Sequence, residues 1–373
     1  MKTLHHPLLS ATPGTRQELV SLHFGTPGAG PKVAVQGSLH ADEVPGMLVA
    51  HHLRQHLLQL EAQGRIRGEI VLVPAANPLG LHQWQLRGFQ GRFETHSGEN
   101  FNRGFADLTQ AVLDRVGQRW TPDALANVAL ARQALREAVA ALPARTPLDS
   151  LRQTLLGLAI DADVVLDLHS DGEGLLHLYT TPHTWDRGEL LARAVGAELA
   201  LLAERSGGDP FDEACSMVWP QLAQHLGPAR PLPAACLAAT LELRGEADVR
   251  HDLAERDALG ILRFLVEVGA LQDPQALPLP PLRRPATPLA GSIPLTAPHG
   301  GMVVFRQTPG AEVQAGDPIV DVIDPFSGET TTLGAPVDGL FFARDLRRFA
   351  VAGMALGKVA GRQALRDGPL LSA

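Results

Sequence analysis

The amino-acid sequence predicts an α/β fold, a mostly parallel or mixed sheet flanked by helices, followed by a small all-β domain. Up to a proline-dense segment at residues 276–285, short β-branched and apolar runs alternate with stretches of helical period, the pattern of a sheet covered on both faces. Beyond that segment the helical period disappears. With 373 residues the chain also exceeds the roughly 250–300 that one hydrophobic core usually serves, so two domains are expected. The division falls at residues 1–283 for the α/β domain, 284–296 for a Pro-rich, semi-rigid linker and 297–373 for the β-rich domain.

Lys32-Val33-Ala34-Val35-Gln36-Gly37 reads as a buried strand ending in a glycine turn, and a helix is expected from residue 44 to about residue 60. Residues 68–74 form a second strand that stops at the Asn77-Pro78 turn. Residues 124–142, 148–158 and 189–205 carry apolar positions at helical spacing and are expected to pack on the sheet. Residues 163–169 and 238–243 are apolar runs of strand length. The polar loop 206–212 reads either as a surface turn or as an element that closes over a pocket.

Three of these strand ends carry chemistry. His40 and Glu43 fall on the loop after the first strand, His169 ends the 163–169 run, and Glu242 interrupts an otherwise apolar strand. Two imidazoles and a carboxylate are the usual ligands of a hydrolytic zinc ion, which keeps a fourth position for water. A carboxylate inside an apolar strand has its pKa pushed up, which suits a general base. Asp167, two residues before His169 on the same strand face, either orients that imidazole or is a solvated strand-end residue.

The order His-x-x-Glu at 40–43, Asn-Arg at 102–103, Asp-Leu-His at 167–169 and an isolated strand glutamate at 242 resembles the zinc carboxypeptidase fold. It resembles more closely the succinylglutamate desuccinylase/aspartoacylase branch, over about residues 32–264. The resemblance implies one zinc ion per chain on His40, Glu43 and His169, with Glu242 as the base. It implies that Asn102 and Arg103 hold a substrate carboxylate, and that an arginine upstream of them polarises the scissile carbonyl. Arg92 and Arg87 are the candidates for that arginine, and Arg92 is preferred as the nearer. The family's mobile-loop tyrosine has no clear occupant, because Tyr179 is the only tyrosine and lies on the strand after His169. His5, His6, His51, His52, His56 and His225 are expected on surfaces, and His177 in the core or at an edge.

In the C-terminal region two similar halves, residues 297–304 and 335–342, resemble the sandwiched barrel of lipoyl and biotinyl domains. A carrier of that kind needs a lysine at the hairpin joining the halves. Asp324-Pro325-Phe326-Ser327-Gly328 offers none, and Lys358 is the region's only lysine. The domain is therefore expected to shape the rim of the active site or to make an oligomer contact.

Composition excludes several classes of function. A net charge of −8 leaves no footprint for nucleic acid or an anionic membrane, and no run approaches 18 apolar residues. The N-terminal residues lack the apolar core of a secretory signal, so a cytoplasmic location is expected. Cys215 and Cys236 provide neither a disulfide framework nor metal spacing.

The expected activity is that of a zinc-dependent amidohydrolase acting on an N-acyl amino acid or a related small carboxylate-bearing molecule. The alternatives are a dipeptidase, including one for β-aspartyl isopeptides, an esterase using the same site, and a non-catalytic binding protein on the same fold.

Overall fold

The computed structural model describes residues 1–275 and 277–371, so Ala276 of the proline-dense segment and the last two residues of the 297–373 span lie outside the described residues. Its main body is a nine-stranded mixed sheet. From one edge the strands run Lys2–Pro7, Glu18–Gly25, Glu69–Val73, Lys32–Gly37, Val164–Asp171, Leu237–Gly245, Leu176–Thr180, Leu199–Leu202 and Thr287–Pro288. The central run from Glu69–Val73 to Leu237–Gly245 is parallel, and antiparallel pairs flank it.

Alternation along the two central strands divides the sheet into two chemistries, because successive side chains point to opposite faces. Val164, Leu166 and Leu168, with Leu237, Ala239, Leu241 and Leu243, enter an apolar core shared with the helices Pro45–Ala62, Trp185–Val195 and His251–Glu267. The opposite face begins as a core, with Val165 and Ala238 packed against the helices Ala124–Ala140 and Pro147–Ala159. It then turns polar toward the carboxyl ends, through Asp167, His169 and Asp171 on one strand and Thr240 and Glu242 on the other. Open parallel sheets bind ligands at this end of their strands.

One expected helix is shorter than its apolar spacing indicates. The helix Trp185–Val195 stops at Gly196, whose φ of 72° places it in the left-handed region that ends helices. Leu199–Leu202 then becomes a strand beside Leu176–Thr180. A four-residue apolar run has no period, and sheet pairing claims it.

The C-terminal region forms two further sheets. One has Ser292–Thr296, Ala355–Ala360, Gly339–Arg344 and Ala311–Val313, and the other Thr330–Gly334, Pro318–Ile323, Gly301–Phe305 and Phe349–Ala350. Val303, Ile319, Val322, Phe341 and Val359 fill the space between them. Each of the two similar halves contributes a strand to a different sheet. The hairpin at residues 324–328 is exposed, with Phe326 at its tip.

The two regions share backbone hydrogen bonding. The short strand Glu173–Gly174, just after the His169 strand, adds to the C-terminal sheet opposite Ala343 and Arg344. Arg344 and Arg348 both pair with Glu173, each at 2.5 Å. Among the described residues, no helix is long and apolar enough to cross a membrane.

Candidate active site

The loop that carries His40 and Glu43 is held by close backbone approaches. A Cβ on Gly37 would lie 2.8 Å from the carbonyl of Gly46, so the end of the strand can pass the start of the helix only as glycine. Ser38 takes a φ of 59°, a costly conformation for a side-chain-bearing residue. Its hydroxyl donates to the Glu43 carbonyl at 2.7 Å and its amide to the Leu168 carbonyl at 3.2 Å, which ties the loop to the His169 strand.

His40, Glu43 and His169 are buried, and one ligand atom from each lies within 4.8 Å of the others. Both imidazoles turn Nδ1 to the Glu43 carboxylate, His40 at 2.8 Å from Oε1 and His169 at 2.7 Å from Oε2. Both have a second partner at Nε2. That of His40 lies 2.8 Å from Asn100 Oδ1, and that of His169 lies 2.9 Å from Asp167 Oδ2. With Nε2–H donated outward, each ring has an Nδ1 lone pair for a cation at the centre. The donor set of two imidazoles and one carboxylate fits zinc.

Burial opposes ionisation of Glu43, yet His40 and His169 outweigh it and hold the carboxyl well below its ordinary range. Burial likewise opposes a charge on His169, but Asp167 and Glu43 raise its pKa well above the usual value. Burial prevails at His40, whose pKa is lowered.

Glu242 stands beside His169 in the parallel register. Its Oε2 has no hydrogen-bond partner among the described residues. Burial, then the charges of Asp171 and Glu43, push its pKa up to about 8. The strand end is pinned by Arg244, itself at a φ of 68°, through an ion pair with the fully buried Asp257 of the following helix.

The two candidate arginines occupy different places. Arg92 reaches Glu43 Oε1 at 3.0 Å and lines the cleft. It is brought there by a hydrogen bond from the Ala41 amide to the Gly91 carbonyl at 2.9 Å, and a Cβ on Gly91 would strike the Asp42 backbone. Arg87 is exposed at the turn between the paired strands Trp84–Gln85 and Gly88–Phe89, and it is not among the residues lining the cleft. Leu86 and Arg87 both have positive φ, the geometry of a two-residue hairpin turn, and this turn carries Arg87 away from the metal ligands.

Asn102 and Arg103 lie on the near side of the triad. Asn102 Oδ1 accepts from the Phe211 amide at 2.9 Å, while its Nδ2 is 3.4 Å from His169 Nε2. The polar loop 206–212 packs here, with the Gly104 amide donating to the Gly208 carbonyl at 2.8 Å. Asp212 beneath it is pushed up to about 7 by burial and by Glu213 and Asp167. Together these residues border a cleft of about 600 Å³.

A model of the succinylglutamate desuccinylase/aspartoacylase catalytic domain matches residues 29–268, well over half of the chain. The chain belongs to the succinylglutamate desuccinylase/aspartoacylase family. This desuccinylase/aspartoacylase chain is similar to a structure assigned to the same family from Shewanella amazonensis SB2B, at 29% identity and a TM-score of 0.84, over 96% of this chain and 98% of that one. It is similar to another so assigned, from Shewanella frigidimarina NCIMB 400, at 25% identity and a TM-score of 0.84, over 96% of each chain. The ectoine utilization protein EutE (DoeB) of Ruegeria pomeroyi shares the fold at 16% identity and a TM-score of 0.66, over 96% of this chain and 94% of that one. No curated protein matches the chain.

The family to which the chain belongs is hydrolytic and deacylating, and acts on small carboxylate-bearing molecules. Three residues in or behind the cleft escape sequence reasoning. Asn100 is hidden in the segment read for its Asn-Arg pair, Asp212 in a loop read as a turn, and Lys358 in a strand some 190 residues beyond His169 (358 against 169). A lone lysine among neutral β residues was the only signal for the last.

Proposed function

We propose that the protein is a zinc-dependent amidohydrolase that removes the acyl group from an N-acyl amino acid or a related small carboxylate-bearing substrate. The observation that carries this reading is the convergence of the His40 and His169 Nδ1 atoms on Glu43 at 2.8 and 2.7 Å, beside the Oε2 of Glu242, which has no hydrogen-bond partner among the described residues.

His40, Glu43 and His169 would hold the zinc, with Asn100 and Asp167 fixing the two rings. Zinc bound there lowers the pKa of water toward roughly 7 and polarises a carbonyl oxygen. Glu242 takes a proton from the attacking water and delivers it to the leaving nitrogen, so that one carboxylate serves both halves of the reaction. Arg92 directs a guanidinium N–H at the oxygen on which negative charge develops. Asn102 and Arg103 hold the substrate carboxylate by charge-assisted hydrogen bonds, which fixes the amide relative to Glu242. The products are a free amino acid and a small acid.

The 600 Å³ of the cleft also admits a dipeptide, including a β-aspartyl isopeptide, which needs the same clamp and a larger acyl side. The test is amine release by zinc-loaded protein across N-acetyl, N-succinyl and N-formyl amino acids and α- and β-linked dipeptides, with Glu242→Gln in parallel. Release by the wild type and not by the variant supports the reading. Zinc-loaded wild type that releases no amine from any of them counts against it.

A further inference from the structure

Lys358, on the strand Ala355–Ala360, is the only lysine of the C-terminal region, and it lies in the catalytic cleft. Its Nζ is 3.2 Å from Asp171 Oδ1, and Tyr179 also lines the cleft. Tyr179 is anchored by His177, whose Nε2 is 3.1 Å from the hydroxyl.

The register of the two central strands locates this group relative to the rest of the site. Thr240 stands beside Asp167, Glu242 beside His169 and Gly245 beside Asp171. Asn102, which precedes Arg103 in the clamp, belongs to the first of these levels, since its Nδ2 is 3.4 Å from His169 Nε2, the atom that also faces Asp167 Oδ2 at 2.9 Å. Lys358 belongs to the last. Residues two apart on a strand are separated by roughly 7 Å, so Asn102 of the clamp and the Asp171–Lys358 pair lie on opposite sides of His169. A substrate whose carboxylate is held at Arg103 and whose amide lies at Glu242 extends its acyl group toward Lys358. Beside Lys358 the cleft wall includes Ala343, its partner in the strand register, and Leu356 on its own strand.

The ammonium at that end is already neutralised. Asp171 cancels its charge. An acyl group ending in a methyl meets an apolar wall and a balanced ion pair. A succinyl group would bring its terminal carboxylate against Asp171, with no net positive charge from the pair to receive it.

We propose that the Asp171–Lys358 pair makes the enzyme selective for short uncharged acyl groups over dicarboxylic ones, with Lys358 a specificity-determining residue lent by the C-terminal domain. This deepens the amidohydrolase reading and rests on it for the direction in which the substrate lies.

The test compares zinc-loaded wild type, Asp171→Asn, Lys358→Met and the double variant on matched N-acetyl and N-succinyl amino acids. Calorimetric affinities for acetate and succinate are measured in parallel, and circular dichroism checks folding. The wild type is expected to favour acetyl by at least tenfold in kcat/KM. Asp171→Asn releases the ammonium and shifts both the kcat/KM ratio and the affinity ratio toward the succinyl partner by tenfold or more. Adding Lys358→Met cancels that gain. Lys358→Met alone leaves Asp171 unopposed and shifts the ratios further toward acetyl, which keeps the test open if Asp171→Asn does not fold. Ratios that stay within twofold of wild type in the folded variants overturn the proposal, as does a gain that survives in the double variant. If no amide is cleaved but the acetate-to-succinate affinities shift as stated, the selectivity device stands and the hydrolase reading fails.

Discussion

The Nε2 atom of His169 lies 2.9 Å from Oδ2 of Asp167, and the other oxygen of that carboxylate is held by Gln36 Nε2 at 3.0 Å. Two neighbouring parallel strands thus fix the ring that presents Nδ1 to Glu43. Replacing Asp167 with Asn keeps the shape and removes the charge that orients the ring. Zinc affinity is expected to fall about 10- to 100-fold, as for other carboxylates behind a metal-bound histidine. Competition with a chromophoric chelator measures it, and an unchanged affinity would make Asp167 a buried partner with no part in binding.

Arg92 and Arg87 are separable by kinetics. Arg92→Ala removes the guanidinium 3.0 Å from Glu43 and is expected to lower kcat about 100-fold, the effect of losing one oxyanion donor. Arg87→Ala alters only an exposed hairpin turn and should leave kcat/KM within about twofold. Equal losses in the two variants would contradict this assignment.

Arg103→Met tests the clamp. Charge-assisted hydrogen bonds are worth about 1.5–3 kcal/mol, so a KM increase of roughly 10- to 100-fold is expected. The loss should vanish when the substrate carboxylate is replaced by a carboxamide, because the wild type then has no charge to hold either.

Glu242 makes the stability of the metal-free protein depend on pH. Its pKa is raised from 4.5 to about 8 in the folded state, so between those values the folded protein retains a proton that the unfolded chain has lost. Stability therefore falls as pH rises through that window. Glu242→Gln removes this dependence. The metal-free variant should gain on the order of 4 kcal/mol over wild type between pH 4.5 and pH 8.5, by denaturant titration. A constant difference across that range would show that the carboxyl titrates normally.

Much of this site was legible in the sequence because its ligands stand at the ends of apolar strands. His169 closes the run Val164 to Leu168, and Glu242 interrupts Ala238 to Leu243, so pattern alone places both at one end of a sheet. The face they share follows from alternation. The edge strands Lys2–Pro7 and Glu18–Gly25 were not legible, since their His, Thr and Ser residues show no sustained apolar run. Nearness to Asn102 in the sequence favours Arg92 over Arg87, but the hairpin turn and the Ala41–Gly91 hydrogen bond that separate the two in space have no local signal. Lys358 could not be placed in the cleft by any local pattern, because the pairing of Glu173–Gly174 with Ala343 and Arg344 is long-range.

That pairing also bears on the birth of the protein. The cleft gathers side chains from His40 to Lys358, so a chain emerging from the ribosome possesses the metal ligands long before it possesses the far wall. At about 5–20 residues per second, the 189 positions separating His169 from Lys358 (358 − 169) take on the order of ten seconds or more to make. During that interval the nascent sheet has its ligands but not the group that screens what enters. Selectivity is the last property this polypeptide acquires.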